Sequence, residues 1–398
     1  MAGAAGAGVL TRTVGDAFTQ VSLGAGVDTN VLVVLSLRGG ADGLSMVVPY
    51  GDPGYAAARP RIKVEANTLL KRNGYFGLHP KFAPLQDMWS AGKFGAVQAV
   101  GLEVPDRSHF AAMEKVEDAD IGSAERRGWI NRMIGDMGTI KPQEAIQLGS
   151  SMVPTSLYGS APVLGLNRMD RLDLPGPTAL ADRADHRRAY DMLWGTSSSV
   201  LGRGARAALT TTDEIGYLSD VRVEPQNGAT YPAGDLGKTL SESATIIRQR
   251  IGARVITVDA GNWDMHAQLG HADAGSMQAR VSELALCLAA FFKDLGTAAD
   301  KVTLVTISEF GRRVHENGNA GLDHGWGGCM LMLGAGVKGG QVHGQWPKLD
   351  NRNLQDGDLR VTTDYRSVLT EVVRSRFPTA DSTKVFPGFI PELRGTMA

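Results

Sequence analysis

Asp42, Arg107, Ser108, His109, Asp264, His266, Glu309, Arg312, Asp323 and His324 are the residues of this sequence whose types and spacing suit chemistry. They lie in four segments. Arg38-Gly-Gly-Ala-Asp-Gly43 holds Asp42, and Glu103-Val-Pro-Asp-Arg-Ser-His-Phe110 holds Arg107, Ser108 and His109. Asp259-Ala-Gly-Asn-Trp-Asp-Met-His-Ala-Gln268 holds Asp264 and His266. Ser308-Glu-Phe-Gly-Arg312, followed by Asn317-Gly-Asn-Ala-Gly-Leu-Asp-His-Gly325, holds the rest. Carboxylates mixed with imidazoles suit a divalent ion, Zn²⁺, Mn²⁺, Mg²⁺ or Ca²⁺. Asp42, Asp264, His266, Glu309, Asp323 and His324 are therefore candidate ligands. A serine at a helix N-terminus suits a nucleophile toward a phosphoryl or sulfuryl group, because free N–H groups there favour negative charge. Ser108 is that serine, with Arg107, His109 and Arg312 as further catalytic candidates.

Each residue also has a structural reading. Ser108 can simply cap a helix, Asp42 between glycines can be a turn residue, and Asp323-His324 can be a surface turn. Glu309 can pair with Arg312 or Arg313. Asp264 and His266 share a face only in an extended segment. Convergence of so many such residues on successive segments favours a site over a set of independent turns.

The elements that must position them follow from hydrophobic pattern. Residues 31–37 form a short, nearly continuous apolar run rich in β-branched side chains, which predicts a strand buried on both faces. Similar runs lie at 94–100, 145–148, 254–258, 302–307 and 329–333. Amphipathic stretches at 81–91, 109–118, 124–137, 236–251, 275–295 and 364–377 predict helices between them. Strands alternating with helices predict an α/β fold, a three-layer αβα sandwich around a mostly parallel central sheet. Ligands in such sheets bind beyond the carboxyl ends of the strands, where the four segments fall. The stretch of about 150–235 breaks the rhythm and reads as an inserted cap within a single domain of residues 29–398.

Composition narrows the function. Lys and Arg total 41 against 42 Asp and Glu, a formal charge of −1, so no bulk basic field exists to hold nucleic acid or anionic lipid. No apolar run reaches the roughly 18 residues a membrane span needs. Cys287 and Cys329 match no metal or redox spacing and read as buried free thiols. Residues 1–28 read either as the latter part of an export signal whose basic start is missing or as a tail, outside the core in both cases. His271, His315 and His343 are reserves, of which His343 could close a metal shell. His79 reads as a cap before a helix and His186 as an exposed helix residue. There is no Gly-x-Gly-x-x-Gly opening a helix after the first strand, no P-loop and no Gly-x-Ser-x-Gly elbow.

The motifs Leu37-Arg-Gly-Gly-Ala-Asp-Gly-Leu44, Val48-Pro-Tyr-Gly-Asp52, Phe76-Gly-Leu-His-Pro80, Arg107-Ser-His-Phe110, Trp263-Asp-Met-His-Ala-Gln268, Ser308-Glu-Phe-Gly-Arg312 and Gly321-Leu-Asp-His-Gly325 resemble the bacterial domain of unknown function 1501 family. The resemblance spans about residues 29–376. Members commonly carry twin-arginine export signals, which implies a periplasmic or extracellular protein. The family is itself similar to the alkaline phosphatase and sulfatase superfamily, which implies an alkaline-phosphatase-like fold, two metals and a Ser or Thr nucleophile. By motif, Asp42 resembles the first-strand metal aspartate and Ser108 the nucleophile. Asp264 and His266 resemble later ligands, and His324 with Asp323 resembles the last one. The sequence departs from the superfamily in having Asp264-x-His266 for Asp-x-x-x-His and Glu309-Phe310 for Asp-His, which leaves two ions, one or none. The signature that arylsulfatases convert to formylglycine is missing.

The resemblance implies an exported metal-dependent hydrolase acting on a small-molecule or polymer phosphate or sulfate ester, Ser108 attacking while Arg107 or Arg312 neutralises charge. The alternative expectation is a non-catalytic cell-envelope binding or assembly protein on the same scaffold.

Overall fold

The computed structural model describes residues 10–14, 17–21, 29–120, 122–123, 125–138, 141–172 and 180–398. Among them, nine strands form the central sheet. They are β1 (Val31–Leu37), β2 (Phe94–Gly101), β3 (Ala145–Leu148), β4 (Leu164–Leu166), β5 (Val255–Ala260), β6 (Val302–Ile307), β7 (Gly328–Gly334), β8 (Val342–His343) and β9 (Thr363–Asp364). Their order is β8-β2-β7-β6-β1-β5-β3-β4, with β9 also paired to β2. Only β7 runs against the others, antiparallel to both β6 and β2. The fold is mixed α/β with a mostly parallel sheet.

Every residue of β1 is buried, because the strand is central and covered on both faces. Val31, Val33, Leu35 and Leu37 point into one apolar layer, which also holds Leu240 and Leu284. Leu32 and Val34 point into the other, with Met113, Trp129 and Leu369. The first layer is covered by helices α5 (Asp235–Arg248) and α6 (Ser276–Leu295). The second is covered by α1 (His109–Asp118), α2 (Trp129–Asp136) and α7 (Tyr365–Arg376). Helix α1 ends where Ala119 turns left-handed at φ 53°.

Several expected elements differ. The helix predicted at 81–91 is a 3-10 turn, Pro80–Leu85, running into the short helix Gln86–Ser90. Pro84 lacks the N–H that an α-helix needs there. The helix predicted from 124 begins at Trp129, after Gly128, an extended residue whose added Cβ would fall 2.1 Å from the Ser156 carbonyl carbon. Within 150–235, β4 joins the central sheet, while α3 (Leu180–Trp194) and α4 (Val200–Ile215) pack on one another. Strands Leu10–Val14 and Ala17–Val21 make a two-stranded sheet of their own. The rest of the segment expected to be an export-signal remnant lies outside the described residues. Both cysteines are buried and unpaired.

Candidate functional site

Three histidines and one aspartate meet, carried by the segments that follow β2, β5 and β6. His109 is the first residue of α1, whose N-cap is Ser108. Asp264 and His266 follow β5, and His324 lies in the loop before β7. One ligand atom from each of His109, Asp264 and His324 lies within 4.8 Å of the others. The Nε2 atoms of His266, His324 and His109 stand 2.9, 3.4 and 3.6 Å from the Asp264 carboxylate.

Two glycines permit this crowding. A Cβ on Gly39, at φ +117°, would fall 2.5 Å from the Asp264 backbone nitrogen. One on Gly321 would fall 2.1 Å from the His266 carbonyl carbon. A larger residue at either would push apart the loops that carry the cluster.

Each imidazole is held at its other nitrogen by an acceptor. His109 Nδ1 faces Glu309 Oε1 at 2.7 Å, His266 Nδ1 faces Asp323 Oδ1 at 3.2 Å, and His324 Nδ1 faces the Arg107 carbonyl at 2.8 Å. Carboxylates and carbonyls only accept, so each Nδ1 carries a hydrogen and each ring turns its Nε2 inward. His266 Nε2 and His324 Nε2 then stand 3.0 Å apart, where two lone pairs repel unless a proton or a shared cation lies between them. The Nε2 of His109 is buried and has no hydrogen-bond partner. Imidazoles oriented by outer acceptors, with their free nitrogens converging on a carboxylate, form a donor set that fits a divalent ion.

The carboxylates are ionised. Burial pushes the Asp264 carboxyl up, but the hydrogen bond and charge of Arg312 outweigh it and hold it below the usual range. Burial also pushes Glu309 up, and the backbone N–H groups of Glu309, Gly40 and Gly39 together with His109 bring it below. The side-chain amide of Asn317 donates to Asp323 at 3.0 Å and, as the largest influence, holds that carboxyl down.

Several expected roles change. Asp42 is not brought to the cluster. It is buried, caps Ser45 N–H, and both its oxygens accept from Arg59, at 2.6 and 3.0 Å. Burial pushes its carboxyl up, and Arg59 brings it below the usual range. Glu309 and Asp323, expected as ligands, stand behind His109 and His266 instead. Glu309 Oε1 also accepts from Gly39 N–H at 2.8 Å, and Oε2 accepts from the Ser308 hydroxyl at 3.0 Å. His109, expected as a catalytic group, stands with Asp264 and His324 in a group whose atoms could hold a metal ion.

Neither arginine points freely toward a substrate. Arg312 is 2% exposed and donates to Asp264 at 2.6 Å and to the carbonyls of Gly40, Gly39 and Leu322. Arg107 pairs at 2.5 Å with Asp358, a fully buried carboxylate. Ser108 is exposed, and its hydroxyl accepts from Ala111 N–H at 3.5 Å. Of the reserve histidines, His343 turns its Nε2 to the Lys338 carbonyl at 2.7 Å. His271 is bridged to Ala274.

Sequence reasoning missed Arg59, Asn317 and Asp358, the partners that fix Asp42, Asp323 and Arg107. Only Asn317 carried a local signal, its place in a glycine-rich loop six residues before Asp323.

Residues 223–372 match the family model described as "Protein of unknown function (DUF1501)". The motifs at 263–268, 308–312 and 321–325 lie inside that match. No curated protein matches the chain. Among solved structures, the chain is similar to the C-terminal periplasmic domain of EcEptC from Escherichia coli, with TM-score 0.39 and 11% identity over 92% of this chain and 89% of that one. It is also similar to a protein in the alkaline phosphatase superfamily from Vibrio parahaemolyticus, with TM-score 0.37 and 9% identity over 87% and 66%. The lipoteichoic acid synthase LtaP from Listeria monocytogenes follows, with TM-score 0.35 and 8% identity over 85% and 75%.

Proposed function

We propose that the chain is a metal-dependent hydrolase of phosphate or sulfate esters whose ion is held by His109, Asp264, His266 and His324. The observation that carries the reading is the convergence of three inward Nε2 atoms on one carboxylate, each ring fixed from behind. Three imidazoles with one carboxylate favour Zn²⁺ or Mn²⁺ over Mg²⁺ or Ca²⁺. A bound divalent ion supplies Lewis acidity toward the ester oxygens and offsets the negative charge of Asp264, Glu309 and Asp323.

The chain's own residues supply orientation. Glu309, Asp323 and the Arg107 carbonyl hold the rings, and Arg312 keeps Asp264 ionised and in place. Ser108 precedes His109 and is the candidate nucleophile. Its Oγ would bond to phosphorus or sulfur as the bond to the leaving oxygen breaks, that oxygen taking a proton. Water would then cleave the ester on Ser108. The positive end of the α1 dipole, at its N-terminus, favours the anionic oxygens of the transferred group.

Small-molecule or polymer esters are the substrates of this reading, and nucleic acid is not a partner, given the balanced charge. Among the described residues no helix is long and apolar enough to cross a membrane. The family resemblance supports export to the periplasm or beyond.

A second reading is favoured by one observation: Arg107 and Arg312 are both committed to carboxylates, so neither offers a free guanidinium to the transferred group. On that reading the scaffold binds a ligand in the cell envelope without turnover. The test is elemental analysis of purified protein, followed by assays on aryl phosphate, phosphodiester and sulfate substrates with Zn²⁺ or Mn²⁺. One ion per chain with turnover abolished in Ser108→Ala supports the hydrolase. No turnover above that variant leaves the binding reading.

A further inference from the structure

Beside the cluster opens a cleft of about 760 Å³, within the range of about 300–1,000 Å³ common for small-molecule sites. His109, Asp264 and Glu309 form one end of it. Phe110, Met113, Met152, Val153, Pro154 and Tyr158 contribute its apolar lining. Phe110 is 91% exposed, Met152 81% and Tyr158 42%. A single exposed apolar side chain is ordinary. These three come from separate segments, the first turn of α1 and two places in the chain after β3. They share one concave space with the candidate metal ligands, which marks a surface that gains by being covered.

The charge of the cleft narrows what covers it. Arg38 is the one lysine or arginine among the described residues that line it. Its guanidinium is already spent on Glu117 at 2.7 Å and Asp259 at 2.8 Å. Glu114, also in the lining, is paired with Arg126. Asp259 remains partly open to solvent. A ligand carrying several negative charges would set them against Asp259, Glu117 and Glu114 without a free cation to meet them. An uncharged aromatic or alkyl body meets apolar walls instead, and a cationic one can also lie against the Phe110 or Tyr158 ring.

We infer that this cleft is the subsite for the non-reacting body of the substrate, and that it takes an aromatic or alkyl group bearing no negative charge. The role as a substrate subsite rests on the hydrolase reading, whereas the binding preference belongs to the cleft itself. Two measurements separate them. The first is a ligand-observed NMR titration of the zinc-loaded full chain with 2-naphthalenemethanol and (2-naphthylmethyl)trimethylammonium. The same titration is run on Phe110→Ala/Met152→Ala, with circular dichroism and Tm as checks that the variant folds. Both probes should bind, and the double substitution should weaken them about tenfold.

The second compares KM for phenyl phosphate and phenyl sulfate bearing a trimethylammonium or a carboxylate at the para position. The carboxylate should raise KM about tenfold. Probe binding that depends on Phe110 and Met152, without turnover of any ester, keeps the cleft and removes the hydrolase. Turnover with no probe binding, with equal binding to the variant, or with preference for the carboxylated ester overturns the cleft assignment and leaves the hydrolase standing.

Discussion

Asp42 and Asp264 both follow strands of one sheet, both lie on the same rim, and both bond an arginine. They differ in everything around that bond. Asp42 is 3% exposed and gives both oxygens to Arg59, itself fully buried. Asp264 is half-exposed, receives Arg312 on one oxygen, and faces three imidazoles. A strand-end carboxylate is a ligand only where its neighbours leave it unsatisfied. Asp42 has the better-matched partner and so works as a structural bolt, while Asp264 is left with lone pairs to share.

The contrast predicts opposite consequences for substitution. Asp42→Asn leaves the Arg59 guanidinium buried without its charge partner, and should cost about 3–5 kcal/mol of stability. Urea unfolding measures it, and a loss under about 1 kcal/mol would remove the distinction.

A second contrast sets the cluster histidines against His79. His79 Nδ1 accepts from Lys81 N–H, which leaves its Nε2–H buried without a partner. Burial, with Lys81 adding to it, pushes its pKa down to about 4. The unfolded chain, with an ordinary histidine near 6.5, therefore takes up a proton that the folded chain refuses. Stability from this residue is complete above about pH 6.5 and falls as pH drops toward 4, by about 3 kcal/mol. In His79→Asn, where the amide oxygen can still accept from Lys81, the pH dependence of Tm should flatten over that window. An unchanged slope would assign it elsewhere.

The outer support is expected to be worth less. Glu309→Gln keeps the shape but weakens the grip on His109, and should lower metal affinity about 10–100-fold. Competition with a chelator reads this directly. Loss of all binding would instead make Glu309 a ligand.

Much of the scaffold is legible in the sequence because covered strands are continuous apolar runs: β1, β3 and β6 have the bounds that their composition implies. Strands β8 and β9 are two residues long, too short for any periodicity. β4 contains Gly165 in a stretch otherwise rich in turn residues, which hides it. The residues of the rim are legible as types at strand ends, but their division of labour is not. Asp42 finds Arg59 17 positions away, His109 finds Glu309 200 away, and Arg107 finds Asp358 251 away. Only folding decides which carboxylate oxygens remain free, so ligand and support look alike in a sequence.

On the proposed reading, Asp264 with His109, His266 and His324 holds one divalent ion and Asp42 holds none. Asp264→Asn takes the charge partner from the buried Arg312, which keeps its carbonyl acceptors, and should cost about 1–3 kcal/mol of stability, less than Asp42→Asn. The direct measurement is metal content per folded chain, by elemental analysis after zinc loading and desalting, for the wild type, Asp264→Asn and Asp42→Asn. One zinc in the wild type and in whatever Asp42→Asn remains folded, with none in Asp264→Asn, is the predicted result. Full zinc in Asp264→Asn, or its loss only in Asp42→Asn, would contradict the assignment.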